Sequence, residues 1–229
     1  MGTETSSTSS RPLSLVTGAS GGIGPEIARE LAGRGYDVVV NGRSAGTDDV
    51  AAELRGQGAE AHPVRADLAE DLRLIDLNVK TVVHLAERAV VDMIPRHGGR
   101  ILMTSSISAT QPTPYETTYG PSRAFVHMFA EALREEVADR GISVTALLPG
   151  PTDSDLHANA GMGDTVFGDN SWKNDRRRVA RQGVEAMLAG KDTVVGGDHK
   201  TKRTALVNRL LPERFKAAGH ARVARPGSR

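Results

Sequence analysis

The sequence predicts an α/β fold: a doubly wound, mostly parallel sheet in a three-layer α/β/α arrangement. Three observations carry this. Strand-like runs fall at residues 13–17, 36–40, 61–66, 100–104 and 142–147, and the one at 36–40 lacks polar alternation, as expected of a strand covered on both faces. Between them stand stretches with apolar residues at helical spacing, such as Val50, Ala51 and Leu54 or Leu74, Ile75, Leu77, Val82 and Leu85. The first run also ends in a glycine cluster that opens directly into a helical pattern from Glu26 to Leu31, so strand, tight turn and helix follow one another without a linker.

That first turn, Thr17-Gly18-Ala19-Ser20-Gly21-Gly22-Ile23-Gly24, carries the first functional signal. Gly18 lets the chain leave the strand sharply, Gly22 lets backbone approach a pyrophosphate, and Gly24 allows close packing of the helix. Phosphates would sit on the free N–H groups at the positive end of the helix. The pattern is that of a Rossmann-like dinucleotide site, with Thr17, Ser20 and Ile23 as further candidate contacts. About 20 positions beyond such glycines a residue usually reads the adenosine ribose. An acidic residue there would bind a free 2′-hydroxyl. This chain has Arg43 and Ser44, a cation and a hydroxyl suited to a 2′-phosphate. NADP(H) is therefore expected over NAD(H).

The remaining elements follow in order. A helix is expected over 48–56, a strand over 61–66 ending at Asp67-Leu68, and a long amphipathic helix over 72–94 that Pro95 and Gly98-Gly99 stop. A strand over 100–104 leads to Ser105-Ser106, and a Thr- and Pro-rich loop precedes a helix over 119–138. The strand over 142–147 ends at Pro149-Gly150-Pro151-Thr152. Periodicity fails over 153–174, the length of a lid or disordered loop. A helix over 177–188 and a last edge strand over 193–195 follow. From Lys200 the chain is basic, with Leu206, Val207, Leu210 and Leu211 as a small apolar stripe. The expected organisation is a disordered leader (1–10), a dinucleotide-binding catalytic domain (11–199) and a basic C-terminal helix and tail (200–229).

Composition excludes several classes. The 229 residues suffice for one domain with a substantial core. A formal net charge of +1 gives no mandate for nucleic acid or a membrane. Without cysteine there is no disulfide framework, thiolate nucleophile or cysteine-based metal site, and no metal is expected. No apolar run approaches the roughly 18 residues that span a bilayer. The expected setting is cytoplasmic.

Tyr119 and Arg123 stand four apart on a helix and share a face. A tyrosine serves as general acid or base near neutral pH only when its phenolate is stabilised, and a cation one turn away does this by Coulomb attraction. Ser106 lies at the end of a parallel strand, where α/β folds place ligands, and its hydroxyl could polarise a substrate oxygen. Together with the glycine turn, these residues resemble the short-chain dehydrogenase/reductase family over nearly the whole chain. The resemblance places Thr17, Gly18, Gly22 and Gly24 in the family's turn. It makes Ser106 the catalytic serine, thirteen positions before the tyrosine, Tyr119. Tyr115 lacks a basic residue four positions on. Asn78 resembles the family's helix asparagine, which helps position a water in the proton path. Pro149, Gly150 and Thr152 resemble the loop that holds the nicotinamide carboxamide. Asp67 and Leu68 resemble the pair flanking the adenine.

The resemblance implies an NADP(H)-dependent oxidoreductase acting on a small carbonyl/alcohol pair, with hydride passing to or from nicotinamide C4, as a homo-oligomer without nucleic acid or membrane. Two departures qualify it. Arg123 stands where the family has lysine; guanidinium keeps the charge but releases no proton, so reduced activity is expected, and a catalytically inactive dinucleotide-binding protein is the alternative. Between Asp67 and Asn78 the family's fourth strand, with its Asn-Asn-Ala-Gly, is missing. The link from Asp67 to Leu72 spans five residue steps, about 17–18 Å at full extension, enough to cross about 14 Å, or three strand spacings, but hardly four. The 100–104 strand is therefore expected to pair directly with 13–17, or else the helix from Leu72 to be displaced.

Overall fold

The computed structural model describes residues 11–65, 74–154 and 163–228; the leader, Asp67 and Leu68 lie outside them. In chain order the elements are β1 (Leu13–Val16), α1 (Gly24–Gly33), β2 (Asp37–Gly42), α2 (Gly46–Gly56) and β3 (Ala61–Arg65). A single π-helical turn, Asp76–Lys80, leads into α3 (Thr81–Met93), followed by β4 (Gly99–Thr104), α4 (Tyr119–Val137) and β5 (Ile142–Pro149). Then come α5 (Arg176–Leu188), β6 (Thr193–Gly196), α6 (His199–Asn208) and α7 (Glu213–Ala224). The basic C-terminal segment thus forms two helices.

Local chemistry accounts for the boundaries. Pro25 sits in the first turn of α1, where a missing N–H costs nothing and the fixed φ suits the helix. Pro95 and a left-handed His97 (φ 54°) end the helical run after α3. Asp175 and Asp198 cap α5 and α6 through the backbone N–H groups of Arg178 and Thr201, each at 2.7 Å.

All strand pairs are parallel, but they form two three-stranded sheets, ordered β1-β2-β3 and β4-β5-β6. Among the described residues no pairing joins β1 to β4, so the expected direct closure of 100–104 onto 13–17 does not occur. The helical layer explains why. Ala28, Leu31 and Ala32 of α1 share a core with Val184 and Met187 of α5. Arg176 and Arg177 reach Glu26 at 3.6 and 3.4 Å. At Gly183 a side chain would drive into Leu147 of β5 and Leu102 of β4, so α5 lies tight on the second sheet. Helices side by side need about 8–10 Å, two strand spacings of about 4.8 Å rather than one.

The second consequence concerns coverage. Residues of α3 and α4 build a separate core with Met103, Val144, Ala146 and Leu148 of the second sheet. Among the described residues, the first sheet has helices on one face only. Val38 and Val40 are fully buried, but Val39 is half-buried, and Leu13 and Leu15 are 61% and 57% exposed. The expectation that the 36–40 strand is covered on both faces therefore fails. Leu74, Ile75 and Leu77, read as part of a buried helical stripe, are exposed as well.

Candidate active site

The glycine turn links the ends of β1 and β2. The Ala19 N–H donates to the Asn41 carbonyl at 2.8 Å, and Asn41 Nδ2 donates to the Val64 carbonyl at 3.0 Å, tying the turn to all three strands. Gly18 and Gly22 adopt φ of +66° and +67°, a region that side chains disfavour. Gly24 is required for a different reason than packing on the sheet: a Cβ there would lie 2.2 Å from the Gly18 carbonyl oxygen. Among the described residues no side-chain hydrogen bond caps the start of α1.

The ribose-reading candidates lie beside this turn. Arg43 and Ser44 are exposed between β2 and α2. At Gly42 a side chain would strike Ser20 and Thr47, so the two loops are in contact. Thr47 Oγ1 is buried there without a hydrogen-bond partner among the described residues. From the other side, a Cβ at Gly22 would meet Cβ of Ser154 at 3.8 Å, which brings the loop after β5 against the same turn. In that loop Thr152 donates to the Gly150 carbonyl at 2.8 Å. Gly150 has no room for a side chain against Thr201.

The second cluster surrounds the start of α4. Asn78 is buried in the π-helical turn before α3, a distortion often found at functional sites. Its Nδ2 donates to Ser122 Oγ at 3.0 Å, and Ser122 Oγ donates to the Tyr119 carbonyl at 2.7 Å. The Arg123 guanidinium lies 5.1 Å from the centre of the Tyr119 ring and donates to the Thr104 carbonyl at 3.4 Å; its Nε is buried without a hydrogen-bond partner among the described residues. Ser105 and Ser106 differ in what their hydroxyls can do. Ser105 donates to the Arg123 carbonyl at 2.7 Å, which uses its proton. Ser106 accepts from the Ser108 N–H at 3.1 Å and keeps a proton to give. Tyr115, with φ 68°, is exposed, and its hydroxyl accepts from Arg225.

The arrangement sets a half-buried phenol, a cation and a serine hydroxyl at the C-terminal end of parallel strands. That is equipment for moving a proton to or from a small molecule. The chain belongs to the short-chain dehydrogenase family. The family's model matches residues 13–74 and 69–164. An uncharacterised short-chain type dehydrogenase/reductase of Sinorhizobium fredii is 32% identical over 180 residues, covering 65% of this chain and 73% of that protein. A 3-oxoacyl-[acyl-carrier-protein] reductase of Synechocystis is 31% identical over 190 residues, covering 64% and 76%. Among solved structures, a short-chain dehydrogenase from Sphingobium yanoikuyae in complex with NADPH superposes with a TM-score of 0.76 at 23% identity, covering 87% of this chain and 93% of that one. As a short-chain dehydrogenase the chain has a Rossmann-like α/β fold and belongs among oxidoreductases.

Sequence reasoning missed three residues of this dehydrogenase's site region. Ser122 joins Asn78 to Tyr119; a hydroxyl three positions beyond the tyrosine, on the helix face that Ala130 and Val126 bury, was the available signal. Asn174, nearly buried, bonds the Pro151 carbonyl and Thr201 Oγ1, each at 2.9 Å, and accepts from the Asp198 N–H at 2.7 Å. His220 of α7 contacts Glu116 Oε2 at 2.9 Å and Gln111 at 3.2 Å, fixing the loop before Tyr119. No local pattern announces either of the last two. Asp198 has its carboxyl held below the usual range, chiefly by the Thr201 backbone N–H.

Proposed function

We propose that the protein is an NADP(H)-dependent oxidoreductase that reduces a small carbonyl compound or oxidises the matching alcohol. The observation that carries this is the chain from Asn78 through Ser122 to the Tyr119 backbone, with the Arg123 guanidinium over the phenol ring. Tyr119 is half-buried with a cation over its ring face, whereas Tyr115 is exposed and spends its hydroxyl on Arg225.

The residues present fit a dinucleotide. The turn around Gly18 and Gly22 and the uncapped start of α1 suit a pyrophosphate. The buried Arg123 Nε, unpartnered among the described residues, suits a ribose hydroxyl, and Arg43 with Ser44 suits a 2′-phosphate. Pro149, Gly150 and Thr152 would hold the carboxamide, and Asp67 with Leu68 would flank the adenine. The Sphingobium structure and a Burkholderia cenocepacia short-chain dehydrogenase in complex with NADP support this choice of cofactor. When bound, the nicotinamide supplies or accepts a hydride at the substrate carbon. Tyr119 gives the substrate oxygen its proton during reduction and takes it back during oxidation. Ser106 donates a hydrogen bond to the same oxygen, and Asn78 would help position a water in the proton path.

Two features favour a slow enzyme, or one that binds cofactor without turnover. Arg123 cannot relay a proton, and no strand stands between β1 and β4 among the described residues, which fits a deletion of the family's fourth strand. The two pieces of the family match overlap at residues 69–74, where that deletion falls. Val91 on α3 and Phe125 and Met128 on α4 are exposed, which supports a homo-oligomer through these helices.

The test is titration of NADPH and NADH, followed by NADPH oxidation with a panel of ketones and aldehydes. Turnover that disappears in Tyr119→Phe supports an enzyme. Binding without turnover, unchanged in Arg123→Lys, favours the inactive binding protein. Failure to bind either cofactor overturns both.

A further inference from the structure

The apolar stripe near the C-terminus is the one sequence feature that the proposed chemistry does not absorb. On α6 the buried residues are Thr201, Ala205 and Asn208, spaced to share one face. Leu206 and Leu210 fall on the opposite side, and Leu210 is 83% exposed. The helical pitch continues beyond Asn208, because the Leu210 and Leu211 N–H groups both donate to the Val207 carbonyl. Val207, Leu211 and Phe215 at the start of α7 are exposed beside them. These five large apolar side chains form the tip where α6 meets α7.

Charge surrounds this tip. From His199 to Arg229, nine lysines and arginines stand against a single acidic side chain, Glu213. Lys202, Arg203, Arg209 and Arg214 are exposed, and the Arg214 guanidinium lies 4.7 Å over the Phe215 ring. The helix pair is firmly seated. Lys216 Nζ donates to the Thr110 carbonyl at 3.1 Å, Asn208 Nδ2 donates to Gln111 Oε1 at 2.8 Å, and the buried His220 meets Glu116. The helix pair is therefore anchored on the loop that precedes Tyr119.

We propose that the α6–α7 tip docks the protein on the surface of an anionic lipid bilayer. Apolar side chains ringed by Lys and Arg match the two attractions that hold a peripheral helix at a bilayer surface: burial of apolar area among the acyl chains and attraction to anionic headgroups. Charge separates this occupant from the others. A second copy of the tip would bring two strongly basic surfaces together, which like-charge repulsion opposes. A nucleic acid would satisfy the cations but leave the leucines in water. No helix among the described residues is long and apolar enough to cross a membrane, so the contact is peripheral. It revises the expectation of no membrane contact, and it stands whether or not the dehydrogenase reading holds.

The test is co-sedimentation of the full chain with vesicles of phosphatidylcholine alone and of phosphatidylcholine mixed with phosphatidylglycerol. Binding is expected to the anionic vesicles only, and to weaken in high salt. The double substitution Leu206→Ser, Leu210→Ser should reduce partitioning about tenfold or more. Each of Lys202→Glu and Arg203→Glu should reduce it about fivefold or more. All four positions are exposed, and unchanged circular dichroism and thermal unfolding verify that the variants fold. Three results overturn the proposal. One is equal binding, or none, on both kinds of vesicle. Another is loss of binding in the charge variants while the leucine variant binds normally, which shows charge attraction alone, as to any polyanion, with no insertion of the apolar tip. The third is a dimer in sedimentation velocity that the leucine substitutions dissolve without any vesicle binding, which identifies a second copy.

Discussion

The guanidinium of Arg123 lies over the ring face of Tyr119, 5.1 Å from its centre. The side chain that the family resemblance assigns to the ribose thus also makes a cation–π contact with the proposed acid, a contact worth about 0.5–2 kcal/mol by burial. Replacing Arg123 with lysine should shorten the cation's reach, release the ring and restore a group able to relay a proton. Activity with NADPH is expected to rise in Arg123→Lys and to fall in Arg123→Ala, measured as kcat against unchanged protein stability.

Tyr119→Phe removes only the hydroxyl. Turnover should fall by roughly 10²–10⁴-fold, the usual contribution of a positioned acid, while NADPH affinity stays within about twofold. Tyr115→Phe, at an exposed position bonded only to Arg225 among the described residues, should change kcat little. Side-by-side kinetics of the two variants decide the assignment, and the reverse ranking refutes it.

Cofactor preference should reside at Arg43. A charge-assisted contact to a 2′-phosphate contributes about 1.5–3 kcal/mol, so wild type should bind NADPH more than tenfold tighter than NADH. In Arg43→Ala the two affinities should converge. Fluorescence titration reads this directly.

Two glycines of the first turn should differ in their tolerance of a side chain. At Gly24 a methyl group would meet the Gly18 carbonyl at 2.2 Å, whereas at Gly21 nothing lies within 4 Å. Gly24→Ala should destabilise the fold by about 1–3 kcal/mol, as overpacking does, and weaken NADPH binding. Gly21→Ala should be near neutral in urea denaturation.

Ser122→Ala should cost about 1–3 kcal/mol, because it leaves the buried Asn78 amide without its acceptor. Asp198→Ala, which removes the cap of α6, should cost about 0.5–2 kcal/mol near neutral pH. The Asp198 carboxyl titrates lower in the folded state than in the unfolded state. Its stabilisation is therefore complete above the usual aspartate range and is lost as pH falls through the folded value. The gap between wild type and Asp198→Ala should be constant from pH 6 to 8 and close in acid.

The sequence by itself determined what depends on neighbours along the chain. A left-handed turn at Gly18 and Gly22, the i, i+4 pairing of Tyr119 with Arg123, and the stops at Pro95 and Gly98-Gly99 are local constraints, and residue type states them directly. Family membership followed from the same short patterns. The tertiary structure alone decided how the strands group. Whether β4 meets β1 turns on the width of two packed helices, α1 and α5, more than 140 positions apart in the chain, and no strand carries a record of that distance. The same holds for Ser122 bonded to Asn78, 44 residues away, and for His220 on Glu116, 104 residues away. A serine, a histidine and a glutamate have no fixed structural meaning until packing removes water from around them. Burial then obliges each to find a partner, and the helices decide which one is within reach.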